Sequence, residues 1–228
     1  MNTLKKLLYW DLLLLHRNKL IVLGLVVAGI YLLLFKLLAG LGDLHSLLLV
    51  LVFNDPVVTG LLFAGVLMLF ESSQNTLVAV QVSPLPVEKY LLSKVISLSL
   101  LSTVSALLMN LAAIGIDFNF VHFILGVAGT SALFVMAGLY LGFGAKGFNQ
   151  FLMRSLGFLM LSALPFLAYF QLIPDVYLVW LPMYAGMKMI DAAYHSLDWY
   201  YLVYAYGYLG FSLYIAWKRL IHHFKEVR

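Results

Sequence analysis

Long apolar segments recur from one end of this chain to the other, and they decide what it can fold into. About twenty apolar residues in a helix are enough to cross the hydrocarbon core of a bilayer. Of the 228 residues, 64% are hydrophobic and 11% are charged, whereas soluble domains carry about a quarter charged residues. The sequence therefore predicts an all-α integral membrane protein with six transmembrane helices, at residues 20–41, 57–70, 91–115, 121–143, 151–170 and 199–217.

Basic residues fall almost entirely on one side of these predicted spans. Of the 14 Lys and Arg residues, only Lys36 and Lys188 lie in outer segments when both termini are placed in the cytoplasm. Because cytoplasmic loops are enriched in Lys and Arg, we expect a multi-pass protein of the cytoplasmic (inner) membrane with both termini inside. The same distribution accounts for the net charge of +4, so a nucleic-acid partner is not expected.

The second apolar segment is short for a span, since residues 57–70 make a helix of only about 21 Å at 1.5 Å per residue. Either the helix continues past Glu71, or the apolar residues 47–53 form an outer piece joined to it through an Asn-Asp-Pro sequence. Asn54 or Asp55 would then cap the helix, and the proline would occupy its first turn. We expect a break in the helix at this point.

The first 19 residues are too often interrupted by polar residues to span, so we expect a helix lying in the membrane interface. Leucines gather on one face of this helix, and the other face carries Lys5, Lys6, Tyr9, His16 and Arg17. Asp11 and Asn18 fall among the leucines, which predicts that they form hydrogen bonds with another part of the protein. An anchor and a gating element are both consistent with this pattern.

The middles of the predicted spans hold almost no ionisable residues. The exceptions lie near span ends, where they are expected to reach the interface: Lys36, Lys94, His122 and Arg154. Ionisable residues at mid-depth mark ion coupling and intramembrane catalysis, so neither is expected. The chain also lacks cysteine and has no metal-binding or Walker-type motif. We therefore expect no catalytic residue, no metal and no cofactor in the chain, and any ATP hydrolysis must occur in another polypeptide.

Residues 71–94 form a polar segment between the second and third predicted spans, on the cytoplasmic side of this topology. Glu71 is expected to mark the water interface, because a carboxylate at mid-bilayer is costly. Pro84 and Pro86 prevent a helix and hold the chain extended, and a helix restarts at Val87. We predict a short, stiff, partly apolar knob within a single transmembrane domain that covers residues 1–228.

This segment also carries a resemblance to a known family. Its pattern, E-x-x-x-N-T-L-x-A-x-x-V-S-P-L-P-x-x-x-Y-L-x-S-K, resembles the loop between the second and third spans of ABC-2-type transporter permeases. With the interfacial helix and the six-span count, the resemblance extends across nearly the whole chain. Within this class the chain is most similar to the small permeases of fluoroquinolone or multidrug exporters. In its length and its "SPLP" sequence it is also similar to the permease of haem or cytochrome c biogenesis exporters.

The resemblance implies a transmembrane subunit of an ATP-driven exporter, which moves a hydrophobic or amphiphilic solute that is drug-like, lipid-like or a peptide. Residues 71–90 would be the coupling helix, seated in a separate ABC ATPase subunit that binds ATP and Mg²⁺. A second permease chain, identical or related, would complete the path. The coupling residues would be Glu71, Asn75, Thr76, Leu77, Val80, Ser83, Pro84, Leu85, Pro86, Glu88 and Lys89.

In that arrangement Leu77, Val80 and Leu85 would supply the buried contact with the ATPase subunit, and Glu88 and Lys89 would form its polar rim. The alternative from a different functional class is a non-transporting membrane scaffold. Its cytoplasmic loop would dock another protein without any transport.

A stripe of small and polar residues follows one face of the third predicted span: Ser99, Ser102, Thr103, Ala106 and Asn110. Close helix packing, with hydroxyls bonded to the backbone, accounts for such a stripe, and so does a wall of the substrate path. The other candidates for that path are Asn54, Asp55 and Tyr184. Gly138 and Gly142 form a G-x-x-x-G pair in the fourth span, which permits close approach of two helix backbones.

The outer segment, residues 171–198, is rich in aromatic residues and methionine. Pro174 and Pro182 prevent one continuous helix, so short interfacial or re-entrant outer helices are expected between the fifth and sixth spans. Its aromatic residues fit an interfacial belt and equally an exit gate lined by flexible methionines. The belt candidates are Trp180, Tyr184, Tyr194, Trp199 and Tyr200, and the methionines are Met183, Met187 and Met189.

Overall fold

In the computed structural model, the described residues are 3–17, 19–38, 45–74, 76–77, 80, 83 and 85–226, and within these ranges the chain is helical and has no strand. The α-helices are α1 (Thr3–Arg17), α2 (Leu20–Leu38), α3 (His45–Val52), α4 (Val58–Ser73), α5 (Val87–Ile114), α6 (Phe120–Phe143), α7 (Phe148–Ala163), α8 (Pro165–Tyr169), α9 (Pro182–Asp191) and α10 (Trp199–Glu226). A π-helical turn, Phe53–Val57, joins α3 to α4, and a 3-10 turn, Asp175–Tyr177, precedes α9.

Three helical stretches within the described residues are long and apolar enough to cross a membrane: α5, α6, and the combined stretch Phe148–Tyr169 formed by α7 and α8. A shorter apolar helix, α4, accompanies them. The chain is therefore a membrane-embedded, all-helical protein, as the sequence predicts. The count of six spans and the orientation of the termini stay predictions.

The second predicted span shows the largest departure from expectation. The expected break at Asn54 and Asp55 is wrong, because α3 continues through the π-helical turn into α4 as one rod from His45 to Ser73. Neither residue caps α4, whose N-cap is Val57 in helical conformation without a side-chain bond. A proline removes one helical hydrogen bond and crowds the preceding turn, and a wider π turn accommodates such a site without ending the helix. The rod is about 43 Å long at 1.5 Å per residue.

Glycines let α4 and α6 pack with their backbones in direct contact. A Cβ on Gly142 would lie 2.7 Å from the carbonyl oxygen of Gly65, and a Cβ on Gly138 would clash with the carbonyl of Leu61. The predicted G-x-x-x-G approach is confirmed, and it occurs within the chain. This contact fixes α4 at the centre of the bundle, against α6.

The outer segment forms short helical pieces, as its prolines predict, and α9 is packed into the protein interior. Its side chains are buried against α6 and α10, Tyr184 completely. A Cβ on Gly126 of α6 would lie 3.1 Å from the backbone nitrogen of Ile190, so the two helices also meet closely. The belt assignment is therefore wrong for Tyr184, and Met183, Met187 and Met189 fill the core instead of lining an open gate. Trp180, Trp199 and Tyr200 are exposed, as a belt requires.

Candidate functional site

The main polar feature of the protein interior is an ion cluster around Lys94. This residue lies about 10 Å along α5 from its start, at 1.5 Å per residue, and its side chain is only 3% exposed. The Lys94 Nζ atom is 2.6 Å from Oε1 of Glu71 at the end of α4 and 3.5 Å from Oδ1 of Asp11 on α1. The expectation that Lys94 reaches the interface is wrong, because two carboxylates hold its ammonium group inside the protein.

Two hydroxyl groups complete the ion cluster. The Tyr90 hydroxyl donates a hydrogen bond to the second carboxylate oxygen of Glu71, and the Ser93 hydroxyl donates to Oδ2 of Asp11. The Tyr90 ring also lies under the ammonium group, with 4.8 Å between Nζ and the ring centroid. A buried ion pair is tolerated when its remaining lone pairs are hydrogen-bonded in this way, so the cluster is a fully partnered junction between α1, α4 and α5.

The ion cluster could be foreseen only in part. The prediction that Asp11 bonds elsewhere in the protein is confirmed, and its signal was an acidic residue on a leucine face. Asn18 lies outside the described residues. Glu71 and Lys94 were each expected near an interface, and nothing in the sequence pattern pairs two residues separated by 23 positions.

The connecting segment, residues 74–86, starts and ends beside the ion cluster. Within it Leu77 is buried, with 6% exposure, in the core that contains Leu15 of α1 and Phe224 of α10. Val80 and Leu85 are half-buried against the same core. Leu77 is thus packed inside the chain in this structure, where it has almost no surface to offer a partner.

The rest of the predicted coupling residues form a short turn and an exposed edge. The Ser83 hydroxyl donates to the Val80 carbonyl oxygen at 2.9 Å, and it accepts from the Leu85 backbone N–H at 3.3 Å. Thr76 is half-buried, whereas Asn75 and Pro84 lie outside the described residues. Three residues are exposed at the start of α5 and just before it: Pro86, Glu88 and Lys89.

The carboxyl end of the chain reaches this exposed edge. Helix α10 continues past the predicted end of the sixth span to Glu226. There the Lys225 Nζ atom lies 3.1 Å from Oε1 of Glu88, and both side chains are more than half exposed. The exposed edge therefore combines the start of α5 with the last turns of α10.

The predicted substrate-path residues of α5 are bonded within the protein. The Ser99 and Thr103 hydroxyls donate to backbone carbonyls one turn earlier, at 2.6 Å and 2.7 Å, and Ser102 is buried beside Gly60. Asn110 is completely buried and its Oδ1 accepts from the Tyr194 hydroxyl at 2.8 Å. These contacts agree with the packing alternative, and the assignment of this stripe to a substrate path stays a prediction.

The remaining path candidates do not converge on one surface. The Asn54 side chain is exposed at the π-helical turn, and the side chain of Asp55 lies outside the described part of the structure. Tyr184 is buried beneath α10, with its ring 6.2 Å from that of Tyr204.

A second polar cluster lies at the other end of the bundle, in the predicted outer segment. The Lys188 Nζ atom is 3.6 Å from Oδ2 of Asp175, and Nδ1 of His195 is 2.8 Å from Oδ1 of Asp191. These four side chains line a cavity of about 350 Å³ that also contacts Tyr169. The sequence pattern does not reveal this cluster, because nothing in it pairs the charged residues of the outer segment.

A family model gives independent information about the chain. The model of the fluoroquinolones export permease protein family matches residues 2–226. The matched range includes α1, the ion cluster, the connecting segment and the outer cluster. No curated protein gives a significant match to this sequence.

Proposed function

The chain belongs to the fluoroquinolones export permease protein family, and on that basis we propose that it is the transmembrane subunit of an ATP-driven exporter of the ABC-2 type. A separate ABC ATPase subunit binds ATP and Mg²⁺ and docks at the connecting segment on the cytoplasmic face. The cargo is a hydrophobic or amphiphilic solute, and the family match favours a drug-like compound over haem. A second permease chain pairs with this one in the cytoplasmic membrane.

The observation that carries this proposal is the ion cluster that joins the two ends of the connecting segment. Glu71 ends the rod formed by α3 and α4, and Lys94 belongs to α5, so a direct ion pair makes these helices move together. Asp11 adds the interfacial helix α1 to the same unit. A force on the connecting segment is thereby passed to three helices, which is what coupling to an ATPase requires.

The exposure of the side chains in the connecting segment indicates which of them can contact the ATPase subunit. Because Leu77 is buried within the chain, the contact with the ATPase subunit falls on Leu85, Pro86 and the polar edge of Glu88 and Lys89. Leu85 is half-buried and thus offers apolar surface without leaving its own core. Contacts of this kind, a small apolar centre with a charged rim, are typical of specific protein interfaces.

Docking can be tested with the Leu85→Asp variant, co-expressed with the ABC ATPase subunit that this proposal requires. We expect co-purification of the ATPase subunit to fall about tenfold or more, because a carboxylate would be desolvated at the contact. The matched control is Leu172→Asp, since Leu172 is 70% exposed in the outer segment and should leave co-purification unchanged.

The scaffold alternative makes the opposite prediction for transport. Reconstituted complex that contains both subunits should show ATP-dependent efflux of a fluoroquinolone from vesicles. Docking without efflux of any amphiphilic probe would support a scaffold. Efflux by the permease chain alone, without the ATPase subunit, would contradict the coupling proposal.

A further inference from the structure

A groove on the side of the bundle is unaccounted for by coupling or by family membership. It runs between α6, α7, α9 and α10, has a volume of about 340 Å³ and opens laterally. Its walls are mostly apolar, with side chains that include Met136, Ala137, Phe158, Phe211, Ile215 and Ala216. In a bilayer such a concavity faces hydrocarbon, and filling it with an alkyl chain restores the packing contacts that a void would lose.

The groove has a polar end, formed by Arg219. This residue lies in the last third of α10, at the end of the bundle where Lys225 pairs with Glu88. The Arg219 side chain is exposed and makes no ion pair or hydrogen bond with any residue that the structure describes. The described residues that line the groove include no carboxylate. A guanidinium group at the mouth of an apolar groove therefore has an unmatched positive charge.

Two other basic residues at this end, Arg154 and Lys218, are engaged elsewhere. The Arg154 Nη1 atom donates to the Gly144 carbonyl oxygen at 2.6 Å, beyond the end of α6. The Lys218 Nζ atom lies 4.6 Å from the centroid of the Tyr214 ring, and Lys218 is not among the residues that line the groove. Arg219 is thus the lining residue that can recognise an anion, and its planar fork suits a phosphate.

We propose that this groove binds one anionic phospholipid, with an acyl chain along the apolar wall and the phosphate group at Arg219. Charge complementarity selects the headgroup, since basic pockets between transmembrane helices on the cytoplasmic side bind anionic lipids. The acyl chain lies along the apolar wall, because Arg219, the cationic residue among the described lining residues, is at one end of the groove. The site is independent of ATP coupling, so its failure would leave the proposed function intact.

The test is native mass spectrometry of the purified full chain, titrated with phosphatidylglycerol and separately with phosphatidylcholine. We expect one phosphatidylglycerol per chain, bound about fivefold more tightly than phosphatidylcholine, which corresponds to one favourable charge contact. Arg219→Gln should abolish this preference. Lys218→Gln removes the same charge from the neighbouring position and should retain it.

A groove-filling variant separates the chain contact from the headgroup contact. Ala216→Phe should weaken binding of both lipids, while circular dichroism confirms that the helices are retained. The proposal is overturned if the two lipids bind equally to the unmodified chain. It is also overturned if Arg219→Gln and Lys218→Gln lower the preference alike, because the charge would then act only through the general surface potential.

Discussion

Lys94 and Glu71 form a buried ion pair, with 2.6 Å between Nζ and Oε1, although 23 residues of chain separate them. Asp11 shares the ammonium group from the interfacial helix α1. The pair therefore determines both the packing of α4 against α5 and the position of the connecting segment.

Removal of the Lys94 charge should destabilise the folded protein. In Lys94→Met the carboxylates of Glu71 and Asp11 stay largely buried without a cation, and we expect a loss of about 3 kcal/mol in the free energy of unfolding. Denaturant unfolding in detergent, followed by tryptophan fluorescence, measures this change. The control is Lys89→Met, at an exposed position, with an expected change within about 0.5 kcal/mol.

The double variant Lys94→Met with Glu71→Gln should recover part of this loss. It removes both charges of the closest pair and leaves only the more exposed Asp11 uncompensated. Additive losses in the double variant would show that the ion pair contributes no coupling energy.

Neutralisation of Asp11 should loosen the interfacial helix selectively. Asp11→Asn weakens the attraction to Lys94 and the bond from Ser93, so α1 should detach more often while the other helices keep their packing. Hydrogen exchange of residues 3–17 should become several-fold faster, because exchange reports local opening. The same measurement on Asp117→Asn, at an exposed site between α5 and α6, should show no change in α1. Unaltered exchange in Asp11→Asn would mean that α1 is held by lipid and leucines alone.

Two glycines should respond to alanine in opposite directions. Gly138→Ala places a methyl group against the Leu61 carbonyl, so α4 and α6 must separate, at a cost of about 1–3 kcal/mol. Gly157→Ala meets nothing within 4 Å and should stabilise α7 by up to about 1 kcal/mol through helix propensity. Thermal unfolding in detergent distinguishes the two outcomes. A tolerated Gly138→Ala would contradict the close backbone contact.

The Tyr194 hydroxyl should contribute to the free energy of unfolding, because it donates a hydrogen bond to the completely buried amide of Asn110. Tyr194→Phe keeps the ring but leaves Oδ1 of Asn110 without its donor, which costs about 1–2 kcal/mol. The exposed Tyr177 provides the control, since Tyr177→Phe removes a hydroxyl at the surface. Equal unfolding midpoints for the two variants would indicate that Asn110 finds another partner.

The helices of this protein are largely predictable because local signals define them. Apolar length places α5 and α6, and Asn119 caps α6 through the backbone N–H groups of Val121 and His122. Prolines likewise explain why the outer segment is divided. These signals act between neighbours in sequence, so they survive without knowledge of the fold.

The incorrect predictions concern residues whose structure depends on packing between segments that are distant in sequence. The Asn-Asp-Pro sequence predicts a break, but the chain continues through a π-helical turn at residues 53–57. The helix that follows, α4, is in close backbone contact with α6. Lys94 is buried because α1 and α4 place the carboxylates of Asp11 and Glu71 beside its ammonium group. Leu77 has the pattern of a contact residue for a partner, but it is buried in a core shared with residues of α1 and α10. Neither hydropathy nor spacing contains this information.

The shared cation has a mechanical consequence. Glu71 and Lys94 lie on either side of the connecting segment and bind each other, so the chain between them forms a closed ring with this ion pair at its base. A pull on this ring is opposed at its base, because separating α4 from α5 would leave the charges of Glu71 and Lys94 unpaired. We therefore expect a tilt of this ring to be passed to the rod and to α5 through Glu71 and Lys94, and to the interfacial helix through Asp11.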